Sequence, residues 1–286
     1  VFLGIDGGGT RCRAVLQDEN GNLLAEAEAG RATIHQDFAD ARRTVIALAT
    51  QLLEQARLPP ASLRQLHAGI GIAGIVTPQD ARNFAAADLP FAKTIVDSDA
   101  AAACMGAHLG ADGGIVIAGT GSVAFATVKG ARISLGGWGF ALGDAGSAAH
   151  LGRASLRHAL EMHDGLAPAS RLGQRIMEKF VTPAQMIAWS ITAEPRDYGS
   201  FAPWVAEAAS QSDPVAGQLL DEAAADIGAL LSALIQKGAP RLCLLGGLAP
   251  ILTPRLAPAL QRKLSEPLAS AAHGAVLMIK SGSKPS

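Results

Sequence analysis

The chain has 286 residues and a formal net charge of −1, and 49% of its residues are hydrophobic. A chain of this length can bury one or two substantial cores, so two lobes are expected. The balanced charge argues against nucleic acid or a membrane surface as a partner, and no apolar run approaches the roughly 20 residues of a membrane span. Three single cysteines, with no paired spacing and no secretory signal pattern before them, favour a reduced, cytoplasmic protein.

Strand and helix patterns alternate along the first part of the chain. Five apolar runs predict strands, at 1–5, 11–17, 23–29, 67–76 and 94–97. The second and third runs are joined by Asp18-Glu19-Asn20-Gly21, which predicts a hairpin turn. A helical pattern over 38–56 ends before Pro59. Strands that alternate with helices indicate an α/β protein.

The plan of the opening segment returns in the middle of the chain. The repeated pieces are a strand at 114–118, the loop Gly119-Thr120-Gly121-Ser122, a strand at 123–128, a turn at Lys129-Gly130 and a strand at 132–135. Both segments run strand, Gly/Thr loop, strand, tight turn, strand. This predicts a duplicated domain whose two glycine loops face each other. Residues 144–238 are mostly helical in pattern, and a last strand at 241–245 ends at Gly246-Gly247.

Three glycine-rich turns follow predicted strands: IDGGGT at 5–10, AGTGS at 118–122 and GGLA at 246–249. Successive glycine N–H groups form a concave site that attracts phosphate oxygens, and α/β proteins bind ligands at the carboxyl ends of strands. The GxxxxGK[ST] motif is absent, so this is not a P-loop protein. Asp6 stands just before the first turn, where it either holds a hydrated Mg²⁺ or caps the turn.

A second carboxylate follows the strand at 94–97. Asp99 opens the small-residue segment DAAAACMGAH. In that place it is either a general base for an attacking hydroxyl or the N-cap of a helix. Asp97 lies one alternation away and competes for the catalytic role.

The stretch GGWGFALGDAGS at 136–147 is the fourth feature. Its glycines place Trp138 in a flexible loop, where an aromatic ring either stacks on a sugar face or packs into the core. Asp144 either belongs to that site or caps the helix that follows. His150, His158 and His163 lack metal-binding spacing and are interpreted as ordinary helix residues.

Taken in order, the motifs IDGGGT, SDAAAACMGAH, GIVIAGTGS, GGWGFALGDAGS and LLGGLA resemble the BadF/BadG/BcrA/BcrD ATPase-type family. Within the actin-like and sugar-kinase superfamily, this branch includes the N-acetylglucosamine and glucosamine kinases. The resemblance implies an α/β fold of two duplicated actin-like (ribonuclease H-like) lobes around a nucleotide cleft. The expected N-terminal lobe is 1–111 and the C-terminal lobe is 112–271, with 272–286 returning to pack on the first lobe.

The resemblance also implies a role for each motif residue, with ATP and Mg²⁺ as cofactors. Asp6 would serve the metal, and Asp99 would be the catalytic base. The implied ATP contacts are Gly8, Gly9, Thr10, Gly119, Thr120, Gly121, Ser122, Gly246 and Gly247. The implied sugar contacts are Thr33, Asp99, Thr120, Gly137, Trp138 and Asp144.

The activity that the resemblance implies is ATP-dependent phosphorylation of the 6-hydroxyl of an amino sugar, in a protein that could form a homodimer. The family usually has glutamate at Ala145 and asparagine near Thr33. Both departures make the site less anionic and less polar, which favours N-acetylglucosamine over glucosamine. Two other functions stay open: an iron–sulfur ATPase activator of a radical dehydratase, which the unpaired cysteines disfavour, and a sensor that binds ATP or sugar without catalysis.

Overall fold

The computed structural model describes residues 1–34 and 38–282, and in these ranges the chain forms two β-sheets with helices packed on them. The strands are β1 (Phe2–Gly7), β2 (Cys12–Gln17), β3 (Leu23–Ala29), β4 (His67–Ile72), β5 (Lys93–Ser98), β6 (Gly113–Ala118), β7 (Ser122–Val128), β8 (Ala131–Gly136) and β9 (Leu242–Leu245). The helices are α1 (Phe38–Gln55), α2 (Pro78–Ala85), α3 (Asp99–His108), α4 (Ala148–His163), α5 (Arg171–Phe180), α6 (Pro183–Thr192), α7 (Pro195–Gly199), α8 (Ala202–Ser210), α9 (Pro214–Gln236), α10 (Ala249–Leu252), α11 (Pro258–Gln261) and α12 (Ala271–Ser281).

The first sheet has the strand order β3-β2-β1-β4-β5. β1, β2 and β3 are antiparallel neighbours, whereas β4 and β5 run parallel to β1. The predicted hairpin between β2 and β3 is present, since Gly21 has a φ of +89° and the Asn22 N–H donates to Asp18 Oδ1 at 2.8 Å. Parallel pairing brings the carboxyl ends of β1, β4 and β5 to one edge, where the first glycine turn and Asp99 follow.

The second sheet has the order β8-β7-β6-β9, in which β6, β7 and β8 are antiparallel neighbours and β9 is parallel to β6. This is the arrangement of the first four strands of the other sheet. The predicted duplicated α/β fold is therefore confirmed. In the described part of the chain, the second sheet has no counterpart of β5.

Each sheet has its own apolar core. Leu48 and Leu52 of α1 pack with the first sheet, and Ile227 and Leu231 of α9 pack with the second. Helix α3 lies between them and packs through Cys104 against apolar residues of β6 and β7. Within the described residues, none of the helices has the length and apolar character needed to cross a membrane.

Helix α12 packs directly on the backbone of the first sheet. A Cβ on Gly4 of β1 would lie 2.0 Å from the carbonyl oxygen of Ala272, and one on Gly69 of β4 would lie 1.8 Å from that of Ala275. Only glycine permits so close a helix. The last described helix therefore contacts β1, β4 and α3 although more than 160 residues separate it from them along the chain.

Candidate active site

Asp6 lies in β1, one residue before the first glycine turn begins to leave the sheet. It is in register with Gly71 of β4 and, through Gly71, with Asp97 of β5. A Cβ on Gly71 would come within 2.4 Å of the Ala102 side chain and 3.5 Å of the Asp99 Cα atom. The first turn of α3 thus reaches the sheet beside Asp6 because Gly71 has no side chain. The sequence reasoning missed Gly71, although a glycine inside a strand is the signal for such a close approach.

Asp6 and Asp99 are two half-buried carboxyl groups, and the charge of Asp99 acts on Asp6. Burial and, secondarily, the negative charge of Asp99 raise the pKa of Asp6 to about 7, against a lowering by Arg13. Burial also raises the pKa of Asp99, and a hydrogen bond from the Ala100 N–H at 2.8 Å opposes that change. Two adjacent carboxylates that burial makes costly to ionise are a fitting place for a cation or a proton.

The structure also decides between the two readings of Asp99. The N-cap of α3 is Ser98, whose hydroxyl oxygen accepts a hydrogen bond from the Ala101 N–H at 3.1 Å. The alternative in which Asp99 serves as the helix cap is therefore wrong. Its carboxylate remains available for the catalytic role that the sequence predicts.

Asp97, the alternative candidate for the catalytic role, is engaged in an ion pair. Its side chain is buried and binds the Arg132 guanidinium through two hydrogen bonds, at 2.7 and 2.8 Å. This ion pair joins β5 of the first sheet to β8 of the second. Asp97 is thus a structural link between the sheets.

The first glycine turn leaves bare backbone exposed. The Gly8 N–H donates to the Arg11 carbonyl at 2.9 Å, which closes the turn. A Cβ on Gly9 would meet no atom within 4 Å, so a ligand can approach this backbone directly. The Thr10 hydroxyl lies 3.1 Å from the hydroxyl of Thr120 in the second loop. The two glycine loops, predicted to face each other, therefore meet.

The second loop rests on the N-terminus of α4. The carbonyls of Gly119 and Thr120 accept hydrogen bonds from the Ala148 and Ala149 N–H groups, at 2.9 and 3.2 Å. The Ser122 hydroxyl is buried and donates to the Ala145 carbonyl at 2.7 Å. This geometry does not support the expected contact between that hydroxyl and ATP, because the donor is used within the protein.

The two glycines of the third glycine turn differ in role: Gly246 holds the turn in place, and the backbone of Gly247 is open. Gly246 has a φ of +97°, and a Cβ there would lie 2.4 Å from the Ala118 carbonyl oxygen. The Leu248 N–H donates to the same carbonyl at 3.0 Å, which fastens the turn to β6. At Gly247 a Cβ would meet nothing within 4 Å. Gly247 is therefore the residue of this turn that a nucleotide can approach.

Asp144 connects the loop at 136–143 to the second glycine loop. One oxygen of its carboxylate lies 2.7 Å from where a Cβ of Gly121 would stand. Burial raises the pKa of Asp144, against a lowering by the backbone of Ser122 and Gly139 and by nearby His150. The cap of α4 is Ser147, which accepts from the His150 N–H at 3.1 Å, so the capping alternative for Asp144 is wrong.

The other two expected sugar contacts of this region, Gly137 and Trp138, lie on the outside of the loop at 136–143, here named the sugar loop. Trp138 is 70% exposed, so the alternative in which its ring packs into the core is wrong. Gly137 before it is also exposed and has a φ of +71°. A large apolar ring held in water at the end of a glycine loop is suited to cover a ligand.

Thr33 lies in the connection between β3 and α1. It forms a parallel bridge with Ala73, and the Ile34 N–H donates to the Ala73 carbonyl at 3.2 Å. The connection is thereby held at the end of β4, near the first glycine turn. His35, which completes the short stretch where asparagine was expected, lies outside the described residues.

The family assignment follows from sequence similarity over nearly the whole molecule. The model of the BadF/BadG/BcrA/BcrD ATPase family matches residues 3–278. The chain belongs to this family. The resemblance predicted from five motifs is thereby confirmed.

Three relatives show how near the similarity comes. The glucosamine kinase GspK of Vibrio cholerae is 38% identical over 277 residues, which are 96% of this chain and 94% of that protein. The N-acetyl-D-glucosamine kinase of Dictyostelium discoideum is 26% identical over 83% of this chain and 80% of its own. A crystal structure from Chromobacterium violaceum, provisionally named an N-acetylglucosamine kinase, has a TM-score of 0.92 and 33% identity, covering 97% of this chain and 98% of that one.

Proposed function

We propose that the protein is an ATP-dependent hexosamine kinase that transfers the terminal phosphoryl group of ATP to the 6-hydroxyl of an amino sugar. The observation that carries the proposal is the meeting of two glycine loops at Thr10 and Thr120, 3.1 Å apart, in a family member that is 38% identical to a glucosamine kinase. Asp6 stands four residues before Thr10 in the chain, and the negative charge of Asp99 acts on it. Phosphoryl transfer needs mainly positioning and neutralisation of charge, which such a site can supply.

The carboxylate pair fits a divalent cation. Asp6 would hold hydrated Mg²⁺, which needs only one or two protein carboxylates beside water and phosphate and would supply charge neutralisation at the transferred group. Among the described residues, no cluster of three or more His, Cys, Asp or Glu side chains forms a metal site. A magnesium ion that is shared with the nucleotide phosphates does not require one.

Asp99 takes the proton from the sugar hydroxyl. Burial raises the pKa of this carboxyl, which makes it a stronger base than an exposed aspartate. The open backbone N–H groups of Gly9 and Gly247 are placed to bind phosphate oxygens. Trp138 covers the sugar and excludes water from the reacting groups.

The alternative of an iron–sulfur activator loses support in the structure. Cys12, Cys104 and Cys243 are all free and all buried, on β2, α3 and β9. Burial raises the pKa of Cys12 to about 12 and that of Cys104 to about 11. Thiols that are buried and protonated cannot ligate a cluster shared with a second subunit.

The proposal extends to the division of the chain. Residues 1–111 with 272–286 form one lobe and 112–271 the other. The packing of α12 on β1 and β4 supports this division. The homodimer expected from the sequence stays a prediction.

The test is a sugar panel assayed for ADP release with the purified protein. Glucosamine, N-acetylglucosamine and glucose are compared by kcat/KM. The substitution at Ala145 favours N-acetylglucosamine, whereas the relative at 38% identity is a glucosamine kinase. A preference for glucosamine would overturn the choice of N-acetylglucosamine but not the kinase. Turnover of no hexosamine would overturn the kinase.

A further inference from the structure

We propose that the ion pair between Arg31 and Glu194 is a positioning element of the sugar site, which holds the Thr33 segment against the half of the molecule that carries the sugar loop. The inference rests on the proposed function. The Arg31 Nη1 and Glu194 Oε2 atoms are 3.2 Å apart, and the two residues are 163 positions apart in the chain. Neither residue belongs to a motif that the sequence reasoning singled out.

Arg31, the first residue of the pair, is connected to the first glycine turn and to Thr33. Arg31 lies in the connection between β3 and α1, directly before Ala32, whose N–H donates to the Gly8 carbonyl at 3.1 Å. Two residues after Arg31, Thr33 pairs with Ala73 at the end of β4. A change in the position of Arg31 would therefore move both the first glycine turn and Thr33, the predicted sugar contact.

Glu194, the second residue of the pair, is connected through α7 to the sugar loop. Glu194 precedes α7, and its N–H donates to Asp197 Oδ2 at 2.7 Å, which fixes the start of that helix. Tyr198 of α7 packs its ring on Phe140 of the sugar loop, with 4.9 Å between the centroids. The Tyr198 carbonyl also lies against Gly152 of α4, where a Cβ would come within 1.8 Å. Glu194 is thus four residues from the contact that supports the sugar loop.

The carboxylate of Glu194 is held from two directions. Arg196 Nε lies 3.0 Å from the same oxygen that binds Arg31. Arg196 orients the carboxylate from within α7, so that less side-chain freedom is lost when Arg31 binds. The Arg31 side chain is 32% exposed and that of Glu194 is 38% exposed, so both are only partly desolvated.

A pair with this exposure contributes little to overall stability. The position of the pair between the two halves of the molecule gives it a different effect, which is on sugar binding. In a kinase whose two halves close on the sugar, an attraction across the cleft acts on the population of the closed form. The pair should therefore change the apparent affinity for sugar far more than it changes the stability of the fold.

The experiment is a charge-reversal cycle with Arg31→Glu, Glu194→Arg and the double variant. Each single reversal should raise KM for the sugar by about fivefold to tenfold, with a smaller change in kcat and in KM for ATP. The double variant restores an opposite-charge pair and should recover at least half of the loss. Calorimetric titration of sugar into the protein without ATP gives a second readout that does not require turnover.

The matched control is a reversal of Arg175 and Glu207, an ion pair of 2.6 Å between α5 and α8 within one half of the molecule. Its variants should leave the sugar KM within about twofold of wild type. Single reversals at Arg31 or Glu194 that lower Tm without a change in sugar KM would overturn the inference, as would a double variant that recovers nothing. A wild-type protein that neither binds nor phosphorylates a hexosamine would instead overturn the proposed function and the role of the pair together.

Discussion

The two sheets share a plan, and a first difference lies near the end of the strand that leads into each glycine loop. In the first sheet, Asp6 is the residue of β1 that precedes the last ladder pair, and in the second sheet the same place in β6 is held by Ile117. Four residues then connect β1 to β2, and three connect β6 to β7. The duplicated strands thus place two similar loops at the cleft, while only the strand that leads into the first loop carries a carboxylate at this position.

A second difference follows the parallel strand of each unit. β4 continues through α2 to β5 and then to Asp99 at the start of α3, whereas β9 turns at Gly246 into α10. The first unit therefore carries both carboxylates that suit metal and proton chemistry. The second unit supplies open backbone at Gly247 and the carboxylate of Asp144 beside Gly121. A shared scaffold fixes where the loops lie, and single side chains divide the chemistry between them.

Removal of the carboxylate that distinguishes the first unit should have the largest effect. Asp6→Asn should lower kcat by ~10³ or more, because charge neutralisation at the transferred phosphoryl group depends on it. The assay is Mg²⁺-dependent ADP release at saturating sugar. Asp88→Asn, a change of the same kind at a fully exposed side chain, should keep wild-type activity. Near-normal turnover by Asp6→Asn would make the metal assignment untenable.

Asp99→Asn tests the second carboxylate. The variant cannot accept a proton, so kcat should fall by ~10² or more with little change in KM for the sugar. The helix cap is Ser98, so the melting temperature should stay near that of wild type. A parallel loss of Tm and of activity would argue for a purely structural Asp99.

The two glycine loops should respond differently to a methyl group. Gly121→Ala would press on Asp144, whose oxygen lies 2.7 Å from the new Cβ. The sugar KM should rise by about tenfold, a change of 1.4 kcal/mol. Gly9→Ala meets no protein atom within 4 Å, so it should keep Tm and sugar KM but raise KM for ATP. The same response from both variants would contradict a division of work between the loops.

Asp97→Asn separates the neighbouring carboxylates of β5. The change weakens the two hydrogen bonds to Arg132, at 2.7 and 2.8 Å, and should lower the free energy of unfolding by about 2–3 kcal/mol. Activity per folded molecule should stay within about twofold, because Asp97 lies outside the site. Chemical denaturation and steady-state kinetics on the same preparation measure both. Loss of kcat with unchanged stability would show that Asp97 acts in the active site.

The last effect is on stability and not on activity, and it concerns pH and the protein without metal. Since the folded-state pKa of Asp6 is raised to about 7, the folded form binds the proton more tightly than the unfolded form. The free energy of unfolding therefore falls as the pH rises from about 4 to about 7, and the penalty is complete above that range. With EDTA present, Asp6→Asn should gain Tm over wild type at about pH 8 and lose most of that advantage near pH 5. Parallel Tm curves for the two proteins would show that Asp6 does not titrate in this way.

Much of the first unit could be predicted because its signals are local. The run VFLGID leads directly into the turn GGGT, and strand periodicity and glycine freedom act over such short segments. The duplicated order of β6, β7 and β8 was predictable for the same reason. The alternatives in which Asp99 and Asp144 cap helices are wrong, because Ser98 and Ser147 accept the N-cap hydrogen bonds of α3 and α4.

The sequence by itself determined the family, the α/β fold and the position of the glycine turns, since each depends on short segments whose pattern is complete in the chain. Only the tertiary structure shows that Asp97 is held in an ion pair, which favours Asp99 for the catalytic role. Asp97 shares a row of the sheet with Asp6, so alternation alone would favour it. Arg132, 35 residues away, binds it instead. The tertiary structure also joined Thr10 to Thr120 and Arg31 to Glu194, because a contact between distant residues depends on how the sheets pack and leaves no periodic trace in the sequence.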